Sequence, residues 1–168
     1  MKHNLGALLE GASRLVVLGV GSELRSDDVA GLLVARALAE AFPNSETLLA
    51  IEGETAPENF TGQILRFAPS HLVIVDCADL GEAPGTVRAF PPEQIGGVSS
   101  NTHTLPLKII VDYIRHYHPC SVLVVGIAPA SLAFDGAVSP AVLAAAESVA
   151  GELALLASRL LETTRSLG

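Results

Sequence analysis

The sequence has no tryptophan, only two cysteines and few aromatic or charged residues, and each shortage narrows the possible structure. Aromatic residues make up 4% and charged residues 17% of the 168 residues, whereas hydrophobic residues make up 49%. The core must therefore consist of Val, Leu, Ile and Ala, as in a parallel sheet covered by helices. A chain of this length buries about 70% of its unfolded surface. We predict a single α/β domain over residues 1–168, with residues 1–14 as an N-terminal extension.

Basic residues are also scarce, which limits the possible partners. Lys and Arg number 10 against 18 Asp and Glu, so the formal net charge is -8, and the basic residues form no cluster. We therefore expect no nucleic-acid partner and no anionic membrane surface. Cys77 and Cys120 are too few for a disulfide framework, and residues 1–14 lack the long apolar core of a signal peptide. Both observations favour a cytoplasmic protein.

One long weakly polar region, residues 138–161, requires a choice between a membrane span and a core helix. Glu147, Glu152 and Arg159 interrupt it. Charges at this spacing favour a helix packed on a sheet over a transmembrane helix. We predict no membrane association.

The apolar patterns predict alternating strands and helices with short connections. Continuous or β-branched apolar runs predict strands at residues 15–21, 47–51, 71–76, 86–90 and 121–127. Helical periodicity and helix-start residues predict helices at residues 28–42, 57–67, 105–117 and 140–163. The short link before residues 86–90 makes that strand an antiparallel edge strand.

Three polar side chains fall at the ends of these elements. Asp28 follows the first strand in the stretch LVVLGVGSELRSDDVAG, Asp76 ends the third strand, and His103 precedes a helix. The carboxyl ends of parallel strands share one edge of the sheet, where ligands bind. Two carboxylates and one imidazole suit an exchangeable divalent metal such as nickel, zinc or manganese, because three protein ligands leave positions open.

Each candidate also has an ordinary structural alternative. Ser26 or Asp27 can cap the following helix, and Asp28 can face its dipole. His103 alone is compatible with a cap or a surface residue. Cys77 beside a carboxylate is typical of a small buried hydrophobe and not of a reactive thiol. The turn GVGSEL lacks the third glycine of the dinucleotide fingerprint, and the chain has no GxSxG elbow.

Five blocks that span nearly the whole chain after Arg14 match a known family. The blocks are VVLGVGSELRSDDVAG, TAPENFTGQILRF, HLVIVDCADLGEAPGTVR, NTHTLPLKIIVDYI and VVGIAPASLAFDGAVSPAV. They resemble the hydrogenase maturation endopeptidases, which trim the C-terminus of the large subunit of nickel-iron hydrogenases after nickel insertion. TAPEN and THTLPL resemble most the branch that processes hydrogenase 3 of formate hydrogenlyase.

The resemblance implies a fold, a site and a partner. The fold is a three-layer α/β/α sandwich around a five-stranded, mostly parallel sheet of the phosphorylase/hydrolase-like kind. The metal-contacting and catalytic positions of the family fall on Asp28, Asp76 and His103. The implied metal is nickel, carried by the large-subunit precursor and not held permanently, and the implied location is the cytoplasm. We expect the protein to be a monomer.

Some expectations remain open at the level of sequence. Ser22, Val29 and Glu54 replace the Asn, Gly and small residue usual in the family, and because Val disfavours positive φ, we expect the loop around Asp28 to differ in shape. We expect the Gly- and Ser-rich residues 95–102 to contact the substrate tail.

Cleavage is either metal-assisted or of the aspartic type. The alternatives are a docking chaperone for the precursor that does not cleave it, and a small-molecule hydrolase or phosphorylase on the same fold.

Overall fold

The computed structural model describes residues 3–96 and 104–168, with the side chains of residues 104 and 105 left out. The strands are β1 Leu15–Val20, β2 Leu48–Glu54, β3 His71–Cys77, β4 Val87–Phe90 and β5 Ser121–Ile127. The helices are α1 Leu5–Leu8, α2 Ala30–Ala41, α3 Thr61–Phe67, α4 Thr104–Tyr117 and α5 Pro140–Ser166. Short 3-10 turns occupy Ser26–Val29, Pro57–Phe60 and Pro92–Gln94.

The five strands form one mostly parallel sheet with the order β2-β1-β3-β5-β4. Strands β2, β1, β3 and β5 are parallel, and Leu15 at the start of β1 pairs with Leu48 and with His71. Strand β4 runs antiparallel to β5, with Val87 opposite Ile127. The predicted fold class and the antiparallel edge strand are thereby confirmed.

Alternate residues of the central strands build two separate cores, one on each face of the sheet. Leu15 and Val17 pack with α1, α2 and α5, whereas Val16 and Leu18 pack with α3 and α4. Strands buried on both faces need apolar residues at every position, which explains the continuous apolar run of β1. The chain is thus a three-layer sandwich.

Helix α5 is long and apolar enough to cross a bilayer by length and composition alone, with a mean hydropathy of 1.5 over its most apolar window. Its inner face is instead buried against the sheet and α2. The buried side chains on α5 are Val142, Ala145, Ala146, Val149, Ala150, Leu153, Ala157 and Leu160. This is the packing predicted for the region from its interrupting charges.

The connections after β1 and β2 cross to opposite faces of the sheet, since α2 packs on one face and α3 on the other. The strand order therefore reverses between β1 and β3, and ligands of open α/β sheets bind at such a point. Helix α4 leads into β5 after three residues and is about 21 Å long, close to the length of the strand. Its N-terminus consequently lies at the carboxyl edge, with the loops that follow β1, β3 and β5.

Candidate functional site

The glycine turn after β1 folds the chain tightly back onto itself. Gly21 has φ +148°, and a Cβ atom there would lie 1.8 Å from the carbonyl oxygen of Asp28. The Gly21 N–H donates to the carbonyl oxygen of Glu54 (3.0 Å), and the Ser22 N–H donates to that of Asp28 (3.3 Å). Glycine is needed here because any side chain would push the adjacent carboxylates Asp27 and Asp28, called the acid pair below, away from the sheet edge.

Gly31, in the first turn of α2, allows this helix to approach the sheet closely. A Cβ atom at Gly31 would lie 2.2 Å from the carbonyl oxygen of Val75 and 2.6 Å from that of Val20. The residues of the 3-10 turn before it, Ser26–Val29, are all buried. The start of α2 and the acid pair are therefore held between the ends of β1 and β3.

Asp27 is a structural residue and not a helix cap. Its carboxylate is fully buried and accepts hydrogen bonds from the N–H groups of Ala130 (2.8 Å), Ser131 (3.0 Å) and Ser139 (2.6 Å), and from the Ser139 hydroxyl (2.8 Å). The predicted capping role of Ser26 or Asp27 is wrong, because neither α2 nor its 3-10 turn has a side-chain cap bond. The Ser26 hydroxyl instead donates to the carbonyl oxygen of Ala133 (2.7 Å).

The hydrogen bonds to Asp27 also keep it ionised. Burial acts to raise the pKa of its carboxyl group, but the bonds donated by Ser139, Ser131 and Ala130 outweigh burial and hold the pKa below the ordinary value of 3.8. Asp27 is therefore a fixed negative charge that ties the loop after β1 to the loop between β5 and α5.

Asp28 and Asp76 are the two carboxylates predicted to take part in the chemistry. Each is 3% exposed, Asp28 in the 3-10 turn and Asp76 opposite Gly126 near the end of β3. Burial, and then the negative charges of Asp76, Asp28 and Asp27, raise the pKa of the Cys77 thiol. All three carboxylates thus lie within electrostatic range of one thiol, so the structure brings the predicted Asp28 and Asp76 to the same part of the sheet edge.

Cys77 has the structural role predicted for it. It is buried, its raised pKa keeps it protonated, and its Sγ donates to the carbonyl oxygen of Asp27 (2.8 Å). Such a thiol is a poor nucleophile. Cys77 therefore supports the acid loop and takes no covalent part in catalysis.

His103 and residues 97–102 lie outside the described residues, so their predicted roles stay predictions. Helix α4 begins one residue after His103, at the edge that carries Asp28 and Asp76. Within residues 3–96 and 104–168, no group of three or more His, Cys, Asp or Glu could hold a metal ion. Of the three predicted ligands, the described residues include Asp28 and Asp76.

The expectation that the loop around Asp28 differs in shape from that of the family stays a prediction. Val29 has φ -75° and ψ -11°, an ordinary right-handed conformation. Positive φ occurs instead at Ser26 (44°) and Glu54 (53°). The turn therefore places its strained residue three positions before Val29, and a β-branched side chain fits at position 29 without strain.

The sequence reasoning missed the loop between β5 and α5 as part of the site. Ser139 and the N–H groups near residue 130 fix Asp27, and a Cβ atom at Gly136 would lie 2.1 Å from the Ser26 hydroxyl. The only signal in the sequence was the density of Ser, Gly and Asp in ASLAFDGAVS. Such a composition predicts a loop but does not reveal what the loop contacts.

Residues 32–155 match the profile of the HycI family, described as hydrogenase maturation protease. The chain belongs to the hydrogenase maturation protease family. A putative hydrogenase maturation protease of Methanocaldococcus jannaschii is 34% identical over 140 residues, which cover 80% of this chain and 83% of the relative. The hydrogenase 3 maturation protease of Escherichia coli K12 is 37% identical over 101 residues, which cover 60% and 64%.

Solved structures of hydrogenase maturation proteases share the fold. HycI from Thermococcus kodakarensis has a TM-score of 0.81 at 29% identity, covering 93% of this chain and 97% of that one. The E. coli endopeptidase HycI has a TM-score of 0.72 at 32% identity, covering 82% and 87%. The resemblance to the hydrogenase 3 branch is confirmed, and this member of the family is an endopeptidase. The chaperone and small-molecule hydrolase alternatives are not favoured.

Proposed function

We propose that this hydrogenase maturation protease removes the C-terminal peptide from the large-subunit precursor of a nickel-iron hydrogenase. We propose further that nickel carried by the precursor is recognised by Asp28, Asp76 and His103. The observation that carries the proposal is the burial of Asp28 and Asp76 at the point where the strand order reverses. Two buried carboxylates at a ligand-binding edge are suited to a cation.

The donor set fits a metal that arrives with the substrate. Carboxylate oxygens and one imidazole nitrogen are ligands that divalent nickel accepts. Three protein ligands leave coordination positions for groups of the precursor itself. The protease then distinguishes a loaded precursor from an empty one, because only the loaded precursor presents a cation to the two carboxylates.

The proposed mechanism also requires a general base. Hydrolysis adds the hydroxyl of water to the scissile carbonyl carbon and a proton to the leaving nitrogen, so a group near the bond must accept a proton from water. Asp28 and Asp76 are the two carboxylates of the proposed site, and both are buried at this edge of the sheet. We assign this role to one of them, in either the metal-assisted or the aspartic type of mechanism.

The proposal is tested by the intact mass of a nickel-loaded large-subunit precursor from the same organism, before and after incubation with the protease. Loss of a C-terminal peptide is expected with the wild type and not with the Asp76→Asn variant or with nickel-free precursor. The matched control is Asp79→Asn, since Asp79 is an exposed aspartate three residues later whose Oδ1 accepts the Gly81 N–H, a bond that asparagine keeps.

Each outcome has a distinct meaning. An unchanged mass with wild-type enzyme and loaded precursor contradicts the proposed substrate. Equal cleavage of nickel-free precursor contradicts the recognition of nickel, and full activity of Asp76→Asn removes that carboxylate from the site.

We also propose that the protease acts as a monomer in the cytoplasm. Both cysteines are free thiols, Cys77 buried and Cys120 half-buried, as expected in a reducing compartment. Size-exclusion chromatography with light scattering and cell fractionation test the two statements separately.

A further inference from the structure

Two large apolar side chains are exposed, one on the loop that carries Asp27 and Asp28 and one on the loop that donates hydrogen bonds to Asp27. Leu24, in the loop after β1, is 64% exposed, and Phe134, in the loop between β5 and α5, is 72% exposed. Leu24 lies four residues before Asp28, and the Phe134 loop is the one that Asp27 holds in place. These side chains therefore belong to the rim of the proposed active site, unlike exposed Leu155 in the second half of α5.

The backbone beneath the two side chains is fixed. The Asp135 N–H donates to the carbonyl oxygen of Leu24 (3.1 Å), and the Ser26 hydroxyl donates to that of Ala133 (2.7 Å). A side chain at Gly136 would collide with the Ser26 hydroxyl. Apolar groups on a preorganised backbone lose little conformational entropy on binding, which is the condition for high affinity per contact.

Arg25 adds a cationic group beside the Phe134 ring. Its guanidinium carbon lies 5.5 Å from the centre of the Phe134 ring, and its Nε donates to the carbonyl oxygen of Leu132 (3.3 Å). In the described ranges 3–96 and 104–168 this is its one hydrogen bond, so further N–H donors are available for a carbonyl or carboxylate oxygen. Positively charged side chains are scarce in this chain, which has 10 Lys and Arg against 18 Asp and Glu.

We propose that Leu24, Arg25 and Phe134 form a substrate-recognition patch for the precursor polypeptide beside the scissile bond. Leu24 and Phe134 contact a large apolar side chain of the precursor, and Arg25 donates to a backbone carbonyl or a carboxylate of the same segment. The occupant is the precursor because the patch is continuous with the loops that hold Asp27 and Asp28. This inference rests on the proposed function, and it names the chemistry of the peptide that the site accepts.

The first test compares steady-state kinetics on the nickel-loaded precursor for four enzymes: wild type, the double variant Leu24→Ala/Phe134→Ala, Arg25→Gln, and the control Leu155→Ala. The double variant is expected to raise KM about tenfold, since few truncated contact residues cost more than this in a binding surface. Arg25→Gln is expected to raise KM about threefold, because it removes a charged hydrogen-bond donor at a solvent-exposed rim. The kcat of all four enzymes and the KM of Leu155→Ala stay within about twofold of wild type, because the truncated groups touch no reacting atom.

The second test does not depend on cleavage. A photo-crosslinking phenylalanine analogue replaces Phe134 in one protein and Leu155 in another, and each is irradiated with the precursor. Crosslinks from position 134 to the C-terminal region of the precursor, and none there from position 155, support the patch.

The results separate this inference from the proposed function. If wild-type enzyme does not cleave the precursor, the proposed function fails, and absence of a crosslink from position 134 overturns the patch as well. If the wild type cleaves but the double variant has an unchanged KM, or Leu155→Ala shows the same rise, the patch is overturned while the proposed function stands.

Discussion

Replacing Asp27 by Asn should destabilise the fold although the two side chains have nearly the same shape. The carboxylate accepts four hydrogen bonds, three from backbone N–H groups and one from the Ser139 hydroxyl. An amide oxygen in the place of Oδ2 keeps at most three of them, and the NH₂ group in the place of Oδ1 then faces the Ser139 N–H. A buried donor left without an acceptor costs about 1–3 kcal/mol, and the other three bonds lose their charged acceptor, so we expect a loss of about 3 kcal/mol in the free energy of unfolding.

A loss of this size corresponds to a fall in Tm of about 6–12 °C for a chain of this length. Thermal unfolding followed by circular dichroism at pH 7 measures it. The matched control is Asp135→Asn, in the loop between β5 and α5 that Asp27 contacts, because Asp135 is exposed with φ +56° and asparagine tolerates that conformation. A Tm for Asp27→Asn within about 2 °C of wild type would refute the structural role of the carboxylate.

The dependence of Tm on pH in wild type and Asp27→Asn also tests the role of the carboxylate, because the direction of the change is known. The pKa of Asp27 is lowered in the folded state, so its ionised form contributes stability that is complete above the ordinary value of 3.8 and is lost as the pH falls through the folded value. The difference in Tm between wild type and Asp27→Asn should therefore be constant near neutral pH and shrink below about pH 4. A difference that instead grows on acidification contradicts the assignment.

Two further predictions concern the packing around the acid pair. Gly31→Ala should lower the free energy of unfolding, measured by urea unfolding, by about 3 kcal/mol, because the new methyl group meets the carbonyl oxygens of Val75 and Val20. The control is Gly151→Ala on α5, where nothing lies within 4 Å, and its free energy of unfolding should be unchanged or higher by about 0.5–1 kcal/mol. Cys77 should resist a thiol reagent at pH 8 until the protein unfolds, because burial and three carboxylates raise its pKa, whereas half-buried Cys120 should react first. Mass spectrometry of peptides labelled over time shows the order of reaction, and early labelling of Cys77 would contradict its burial.

The strands of this fold could be predicted from the sequence because their signal is local. Residues 121–127 were predicted as a strand and form β5 with the same bounds, and β3 extends the prediction for residues 71–76 by one residue. A strand buried on both faces needs only an uninterrupted apolar run, which can be read in any short window. The three-layer arrangement then follows from the alternation of such strands with helices.

The start of α2 could not be predicted, because the acid pair takes part in long-range contacts. Local propensity predicts Asp27 as a helix cap, but the groups that donate hydrogen bonds to it lie 103 to 112 residues further along the chain. The same contacts explain why the 3-10 turn Ser26–Val29 replaces the first turn of the predicted helix. The chemical argument for Asp28 and Asp76 needed only their place after buried strands, and the structure puts both at the expected edge.

The link between Asp27 and Ser139 bears on the order of events during protein synthesis. The loop that carries Asp28 leaves the ribosome early, but the groups that fix it are at residues 130, 131 and 139 of 168. The first part of the chain alone therefore cannot assemble the acid pair in its final position. The loop that carries Asp27 therefore reaches its final position only after the segment that contains Ser139 has been synthesised.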